Sequence, residues 1–537
     1  VLLAVAAVAV AFVPETVAAA EPQRYRFQRV AVPADADDLV VLARWAAAER
    51  VPLIPRGSGS SMAGGAVGDG VVVDLSRLTG LSRVDNTRPA VWGGAGVLRR
   101  EVEHAANAQG FRFPVDPSSG TFVTIGGMAA TNAAGPRTMA YGAMRRWVEA
   151  IDCVLADGSR ATVRRGQPLP SGVPAFDRWL GIAADCREAA RALRPARVRK
   201  DSSGYGVHDF AASGELVDLL VGSEGTLALF AAVELRLAPI PAATASVLAS
   251  WPSLDRGVVG AALAREAGAA ACELLDRTFL DIARSGAPLP VPNEAECVLL
   301  IELEDDATDD GRSVAARART LAAACEQHGA SSVLVGVDEE SEEALWALRH
   351  AASPILTRLD PHFKSMQLVE DGCVPPEALG DYVRGVRAAL EAARFRGVIF
   401  GHAGDAHVHV NALVDVRDDD WRARARQFFD EVVGLTASLG GSLAGEHGDG
   451  RLRTPVLDRV WPPEARALFG RIKAAFDPAG ILNPGVKVAA VAEAPLTDNK
   501  YDPELPPLPD DARRVLARVE RERAYDRSRL EMLGEPD

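Results

Sequence analysis

Nine histidines occur in 537 residues, and three of them, His402, His407 and His409, fall in the stretch GHAGDAHVHVN at 401–411. Asp405 stands among them, and a second carboxylate–imidazole pair, Glu446–His447, lies between glycines in LAGEHGDGRLRTP. Two neutral imidazoles and a carboxylate make an open site for a divalent transition ion. An imidazole alone can act as a general base, and a buried polar turn would use the same residues for no chemistry at all. Upstream, LWALRHAASPILTRLDPHFKSMQLVED puts Arg349 on a helix and Lys364 at the start of a strand. Either cation could fix a carboxylate or be an ordinary solvated charge. Ser353 follows Arg349 by about one helical turn and shares its face.

Glycine carries the other chemistry. PRGSGSSMAGGAVGDG (55–70) follows one strand and precedes another, and its exposed N–H groups could wrap a pyrophosphate. It is neither a dinucleotide fingerprint, because Met62 stands where the third glycine belongs, nor a P-loop, because no Gly-Lys-Ser/Thr closes it. DPSSGTFVTIGGMAATNAAGPRTMAYGAMRRWV is nearly free of charge up to Arg137, which suits a backbone packed on a large flat ring system. GSEGTLAL at 222–229 adds a tight turn beside a strand.

The elements that must position these residues follow from periodicity. RVAVPADADDLVVLARWAAAERVPLIPRG reads as strand, Asp-rich turn, amphipathic helix and strand. WVEAIDCVLADGSRATV reads as a hairpin turning at Asp157–Gly158, and LVDLLVGSEGTLALFAAVELRLAP as a helix end, a glycine turn and a long strand. After APIPAA, Ala- and Arg-rich helices alternate with strands such as CVLLIELE, so an α+β second domain starts near residue 240. Residues 1–26 form an apolar N-terminal segment, read as a surface helix or an unusual start, since no Lys or Arg precedes the run. Residues 489–537 read as a Pro-rich tether and a charged helix docked on the body through Val515, Leu516, Val519 and Tyr525.

The formal charge of −14 repels phosphate backbones, which argues against nucleic acid as a partner. The six cysteines form no CxxC pair, which argues against a zinc ribbon, an iron–sulfur cluster and a disulfide framework. Scattered thiols fit a cytoplasmic location, or one at the inner membrane surface.

Taken in order, these segments resemble the flavin domain of the vanillyl-alcohol oxidase/PCMH superfamily, followed by the FAD-linked oxidase C-terminal domain of D-lactate, glycolate and D-2-hydroxyglutarate dehydrogenases. The likeness runs from about residue 28 to 488. It implies an α+β fold: a PCMH-type FAD-binding domain of two α/β subdomains (27–239), then an α+β domain with an antiparallel sheet (240–488). It implies that Pro55, Arg56, Gly57, Ser58, Gly59, Ser60, Ser61 and Gly64 hold the FAD pyrophosphate. Pro117, Ser118, Gly120, Gly126, Gly127, Asn132 and Gly142 would line the flavin with Glu224, Gly225 and, from ILNPGVKV, Asn483. Covalent relatives use a His or Cys in these loops, and this chain has neither there, so FAD is expected to be non-covalent.

The motifs GHxGDxxxHxN and xEHGxG imply metal ligands His402, His409 and Glu446, with zinc as the first expectation. They leave Asn411 and His447 facing the substrate, His447 as the base. WxxR…K implies a carboxylate clamp of Arg349 and Lys364 helped by Ser353. One departure is plain: the usual GDGNLH is GDAHVH here, so Ala406 and His407 replace Gly and Asn, and alternation points His407 with His409. Whether His407 changes the metal's coordination or shapes the pocket stays open. The expected activity is oxidation of a small D-2-hydroxy acid with hydride transfer to FAD. Electrons would pass to a quinone, a cytochrome, an electron-transfer flavoprotein or an iron–sulfur subunit. The alternatives are an O₂-using oxidase and an electron-relaying flavoprotein subunit; a zinc hydrolase would leave both glycine-rich loops unexplained.

Overall fold

The structure is a computed structural model. It describes residues 27–285, 288–305, 313–351 and 363–489, with Leu2–Leu3 and a few positions between 510 and 532. Ser353, most of the N-terminal segment and most of the C-terminal tether and helix lie outside the described residues.

Among the described residues the first half builds two four-stranded sheets and one two-stranded pair, Ala238–Pro239 against Phe111–Arg112. Phe27–Ala31, Gly70–Asp74 and Leu53–Arg56 run parallel, with Leu2–Leu3 as a short antiparallel edge. The crossover helix Ala36–Glu49 starts where Asp35 accepts from the N–H groups of Asp37 and Asp38, a side-chain N-cap that satisfies two orphan donors. It buries Leu39, Leu42, Ala43 and Ala46, the spacing of one helical face. The second sheet is antiparallel, in the order Ala90–Gly94, Leu229–Arg236, Val148–Val154, Arg160–Arg164. Its expected hairpin is present, with Gly158 at φ 76.

The second half is one seven-stranded antiparallel sheet, in the order Ser332–Gly336, Thr244–Trp251, Cys297–Glu304, Ala271–Asp276, Arg396–His402, His409–Asp415, Phe363–Met366. Strand alternation divides it into two chemically different faces. One face carries Leu274, Ile301, Val410, Ala412 and Val414, packed with side chains from helices Leu254–Glu266, Val314–Gln327, Leu379–Ala392 and Trp421–Ser438 into one large core. The other carries Glu273, Phe400, His402, His409 and Asn411, as the cross-strand pairs Glu273–His402 and Phe400–His409 require.

One helix of the second half, Pro463–Phe476, packs away from this sheet. Its Leu468, Phe469, Ile472 and Phe476 enter the core of the first half beside Trp179 and Phe210. Leu482 then bridges to Leu53 in parallel. The chain therefore returns to the cofactor-side body before residue 488, because the apolar stripe of this helix finds its complement there.

Candidate functional site

A single cavity runs between the two halves, walled on one side by residues 55–62, 117–119, 126–127 and 224–225 and on the other by Arg349, Gln367, Phe400, His409, Asn411, Glu446 and His447. The glycine wall is made of backbone. Helix Ile125–Thr131 begins at Thr124, whose hydroxyl accepts from Gly127 N. Gly126 lets that helix lie against residue 95: a Cβ there would sit 2.7 Å from the Ala95 carbonyl and 2.6 Å from its Cβ. A Cβ on Gly57 would likewise run into the Thr124 hydroxyl. Arg56 is buried on this wall, and among the described residues both terminal nitrogens of its guanidinium lack a hydrogen-bond partner. A buried, unsatisfied cation beside free backbone N–H groups fits a pyrophosphate, whose oxygens would supply the missing acceptors.

Five of the residues expected on this wall stand behind it. Asn132 is a left-handed helix cap (φ 54) whose side chain receives Arg145 N and reaches Ser202 Oγ. Asn483 donates to the carbonyls of Gly65 and Glu224. Gly64 accepts from Arg451 through its carbonyl, and Gly120 and Gly142 are turn positions outside the lining.

The opposite wall is made of charge. His402 Nδ1 donates to Glu273 Oε1 at 2.5 Å and turns Nε2 to within 3.2 Å of Glu446 Oε1. His409 Nδ1 is 3.1 Å from the Glu370 carbonyl, and its Nε2 is 3.3 Å from the same Glu446 oxygen. The other oxygen of Glu446 receives the buried Lys200 ammonium at 3.0 Å. Three ligand-type groups thus converge with their second nitrogens already anchored, which is the usual orientation of metal-binding imidazoles. Burial depresses His402, yet Glu273 with Glu446 more than offsets this and raises it to about 9. Burial alone dominates His409, which is lowered. Burial would raise Glu446, but Lys200 and His402 hold it well below the usual carboxylate range.

His447 presents its ring to the cavity, with Nδ1 donating to Glu370 Oε1 at 2.9 Å and its backbone N–H to Asp371 Oδ2. Arg453 in turn donates to Glu370 at 2.5 Å. Burial works against protonation of His447, but Asp371 and Glu370 outweigh it and raise the imidazole to about 9, well above the ordinary histidine value. His407 is fully buried and lies behind this wall, not on it. Asp371 accepts from its Nε2 at 2.8 Å.

Arg349 is a buried member of the cavity wall, its Nε donating to Glu273 Oε2 at 2.7 Å and its guanidinium 5.3 Å from the Phe400 ring centre. Among the described residues one terminal nitrogen, Nη2, has no hydrogen-bond partner. Lys364 is not brought to the cavity. It pairs with Val414, on the helix-packed face of the sheet, whereas its neighbour Ser365 lines the cavity. Strand alternation therefore separates Lys364 from Arg349.

Glu224, expected to touch a cofactor, has its carboxylate committed elsewhere. It accepts from the N–H groups of Asp449 and Gly450 and pairs with the buried Lys487 ammonium at 2.9 Å. This ties the glycine turn at 222–225 to the loop bearing Glu446 and His447. Lys200, Glu273, Glu370, Asp371, Arg453 and Lys487 escaped the sequence reading. The available signals were weak: a lone acid inside the apolar ACELLD and adjacent acids closing MQLVED.

Two family models match the chain: an FAD binding domain over residues 27–164 and the C-terminal domain of FAD linked oxidases over residues 240–486. The glycolate oxidase subunit GlcD of Bacillus subtilis is 29% identical over 85% of this chain and 88% of its own length. The D-lactate dehydrogenase of Archaeoglobus fulgidus is 29% identical over 85% and 90%. The D-2-hydroxyglutarate dehydrogenase of Escherichia coli is also 29% identical, but the match spans only 47% of that longer protein. Among solved structures, alkyldihydroxyacetonephosphate synthase aligns with a TM-score of 0.59 at 15% identity, covering 86% of this chain and 77% of that one. The 4-ethylphenol oxidase of Gulosibacter chungangensis aligns equally well over 88% and 92%, also at 15% identity. These two likenesses show the fold alone; the order of an FAD binding domain followed by an FAD linked oxidase C-terminal domain comes from the family models.

Proposed function

We propose that this chain, which matches the FAD binding domain and the C-terminal domain of FAD linked oxidases and is similar to proteins named as 2-hydroxyacid dehydrogenases and a glycolate oxidase subunit, oxidises a small D-2-hydroxy acid, of the lactate, glycolate or 2-hydroxyglutarate kind, to its 2-oxo acid. The observation that carries this reading is the shared cavity, in which Arg349, the anchored His447 imidazole, His409 and Glu446 stand opposite the glycine wall, with His402 converging on the same Glu446 oxygen.

FAD would be held non-covalently by residues 55–61, Pro117, Ser118, Gly126, Gly127 and Gly225, with Arg56 on its pyrophosphate; when bound, it supplies the hydride acceptor. A divalent ion on His402, His409 and Glu446 would supply Lewis acidity toward the substrate hydroxyl, and zinc suits two imidazoles and one carboxylate. The chain's own groups do the rest. Arg349 is oriented through its Nε by Glu273, so its Nη2 is pre-aimed at the substrate carboxylate. The Asn411 amide lies on the same sheet face as His409 and can orient the substrate's hydroxyl oxygen. In its neutral form His447 takes the hydroxyl proton on Nε2, with Glu370 holding Nδ1 and with it the tautomer. Against burial, Asp371 and Glu370 raise the imidazole to about 9, so the base form gains as pH rises toward that value. The buried surroundings of Glu370, His409 and Glu446 exclude water from these contacts. Lys364 has no part in the clamp. Electrons then leave to a separate acceptor: a quinone, a cytochrome, an electron-transfer flavoprotein or an iron–sulfur subunit. Among the described residues no helix is long and apolar enough to cross a membrane.

The test is anaerobic mixing of the yellow holoprotein with D- and L-lactate, glycolate and D-2-hydroxyglutarate. Bleaching by a D-acid or glycolate is expected, and chelator dialysis should abolish it while flavin absorbance persists. If none of these acids bleaches the flavin, the reading fails.

A further inference from the structure

His407 is the buried group that the proposed reaction does not use. Ala406 takes a left-handed conformation (φ 54) just before strand His409–Asp415, and this turn carries His407 into the cluster. Its ring centre lies 4.7 Å from that of His409 and 5.4 Å from that of His402. Gly445 leaves the space for it, since a Cβ there would stand 2.7 Å from His407 Nε2. The Asp371 carboxylate accepts from that Nε2 at 2.8 Å. A carboxylate can only accept, so the proton sits on Nε2 and the lone pair on Nδ1. Among the described residues Nδ1 has no hydrogen-bond partner, although the residue is 0% exposed. An acceptor buried without a donor costs free energy unless something else fills its lone pair. Like His402 and His409, His407 has one ring nitrogen anchored on an acceptor, which leaves the other as its available ligand atom. One ligand atom from each of His402, His407, His409 and Glu446 lies within 4.8 Å of the others.

We propose that His407 is a fourth protein ligand, making the centre three imidazoles and one carboxylate. This rests on the reading that His402, His409 and Glu446 hold a divalent metal. It also changes which metal suits the site. Four protein donors complete a tetrahedral shell, so zinc would keep no position for substrate. An ion that accepts five or six donors, such as Mn²⁺, Fe²⁺, Co²⁺ or Ni²⁺, keeps one or two open.

The test uses the full FAD-loaded chain, stripped of metal by a chelator and titrated with Co²⁺. X-ray absorption at the cobalt edge should count three imidazoles in the wild type. In His407→Ala the count should fall to two, with cobalt affinity lower by more than about 100-fold, beyond the 10–100-fold expected when only an outer-shell partner is lost. A wild-type count of two imidazoles overturns the proposal and leaves the three-residue site standing. So does a His407→Ala protein with unchanged cobalt spectrum and affinity. If the wild type binds no cobalt while keeping its flavin, the metal reading itself falls, and this inference with it. Should the variant fail to fold, the wild-type count decides alone.

Discussion

The two walls of the cavity are built from opposite materials. The glycine wall works by lacking side chains: Gly126 lets a helix lie against residue 95, and one unpaired cation, Arg56, stands among backbone donors. The opposite wall works by burying charge. Glu273, Glu370, Asp371 and Glu446 are all buried and all held below the ordinary carboxylate range, each by a cation or imidazole that outweighs its burial. A backbone cradle tolerates loss of any one polar contact but no added volume. A charge cluster is the reverse, because removing one member leaves its partner buried and unpaired. Damage to one wall should therefore leave the other wall's property intact.

The largest effect that would break this separation is at His447. His447→Ala is expected to slow flavin reduction by about 10²–10⁴-fold with FAD and metal content unchanged. Stopped-flow bleaching with parallel elemental analysis measures both. Loss of metal would make His447 a ligand, and an unchanged rate would make it a bystander.

Arg349→Ala comes next. Removing one partner of a desolvated charge pair costs about 2–5 kcal/mol, so kcat/KM should drop by roughly one and a half to nearly four orders of magnitude. FAD absorbance should be unaltered. A loss under about threefold in a folded yellow protein would detach Arg349 from the substrate.

Asp276 sharpens the contrast within the charged half. It is fully buried, like the site carboxylates, but its nearest partners are backbone N–H groups, and burial raises it to about 7 from 3.8. A raised folded value means that this carboxyl favours folding below about pH 4 and loses that contribution as pH climbs through 7. Asp276→Asn keeps the helix cap and should remove that dependence. The variant should be more stable than wild type at pH 8, on the order of a few kcal/mol at most, as read by denaturant unfolding across pH 4–8. Equal stability at pH 8 would mean that Asp276 ionises without cost.

The smallest effect is expected on the glycine wall. Gly126→Ala forces a methyl against the backbone of residue 95, and overpacking of this kind costs about 1–3 kcal/mol. Thermal unfolding should register that cost together with weaker FAD retention, while cobalt affinity at the opposite wall stays put. Altered metal affinity would show that the walls are mechanically coupled. The route would be Glu224, whose carboxylate holds the loop carrying Glu446 and His447.

What the sequence by itself determined is whatever local pattern encodes. Glycine density marked the backbone cradle, alternation marked the strands on both sides of GDAHVH, and the Asp-rich turn marked the start of helix Ala36–Glu49. Rare histidines beside a Glu–His pair marked the charged wall, because few residue types bind metals or move protons near neutral pH. Tertiary structure alone decided which charges meet. Glu273 and His402 are 129 positions apart and touch only because their strands pair in one register. The same rule worked against Lys364, since one residue's difference in a strand reverses the face, and no single-strand pattern says which face will carry the site. Helix Pro463–Phe476 shows the limit at domain scale: the core that receives its apolar side chains is chosen by shape, and that core lies in the other half of the molecule.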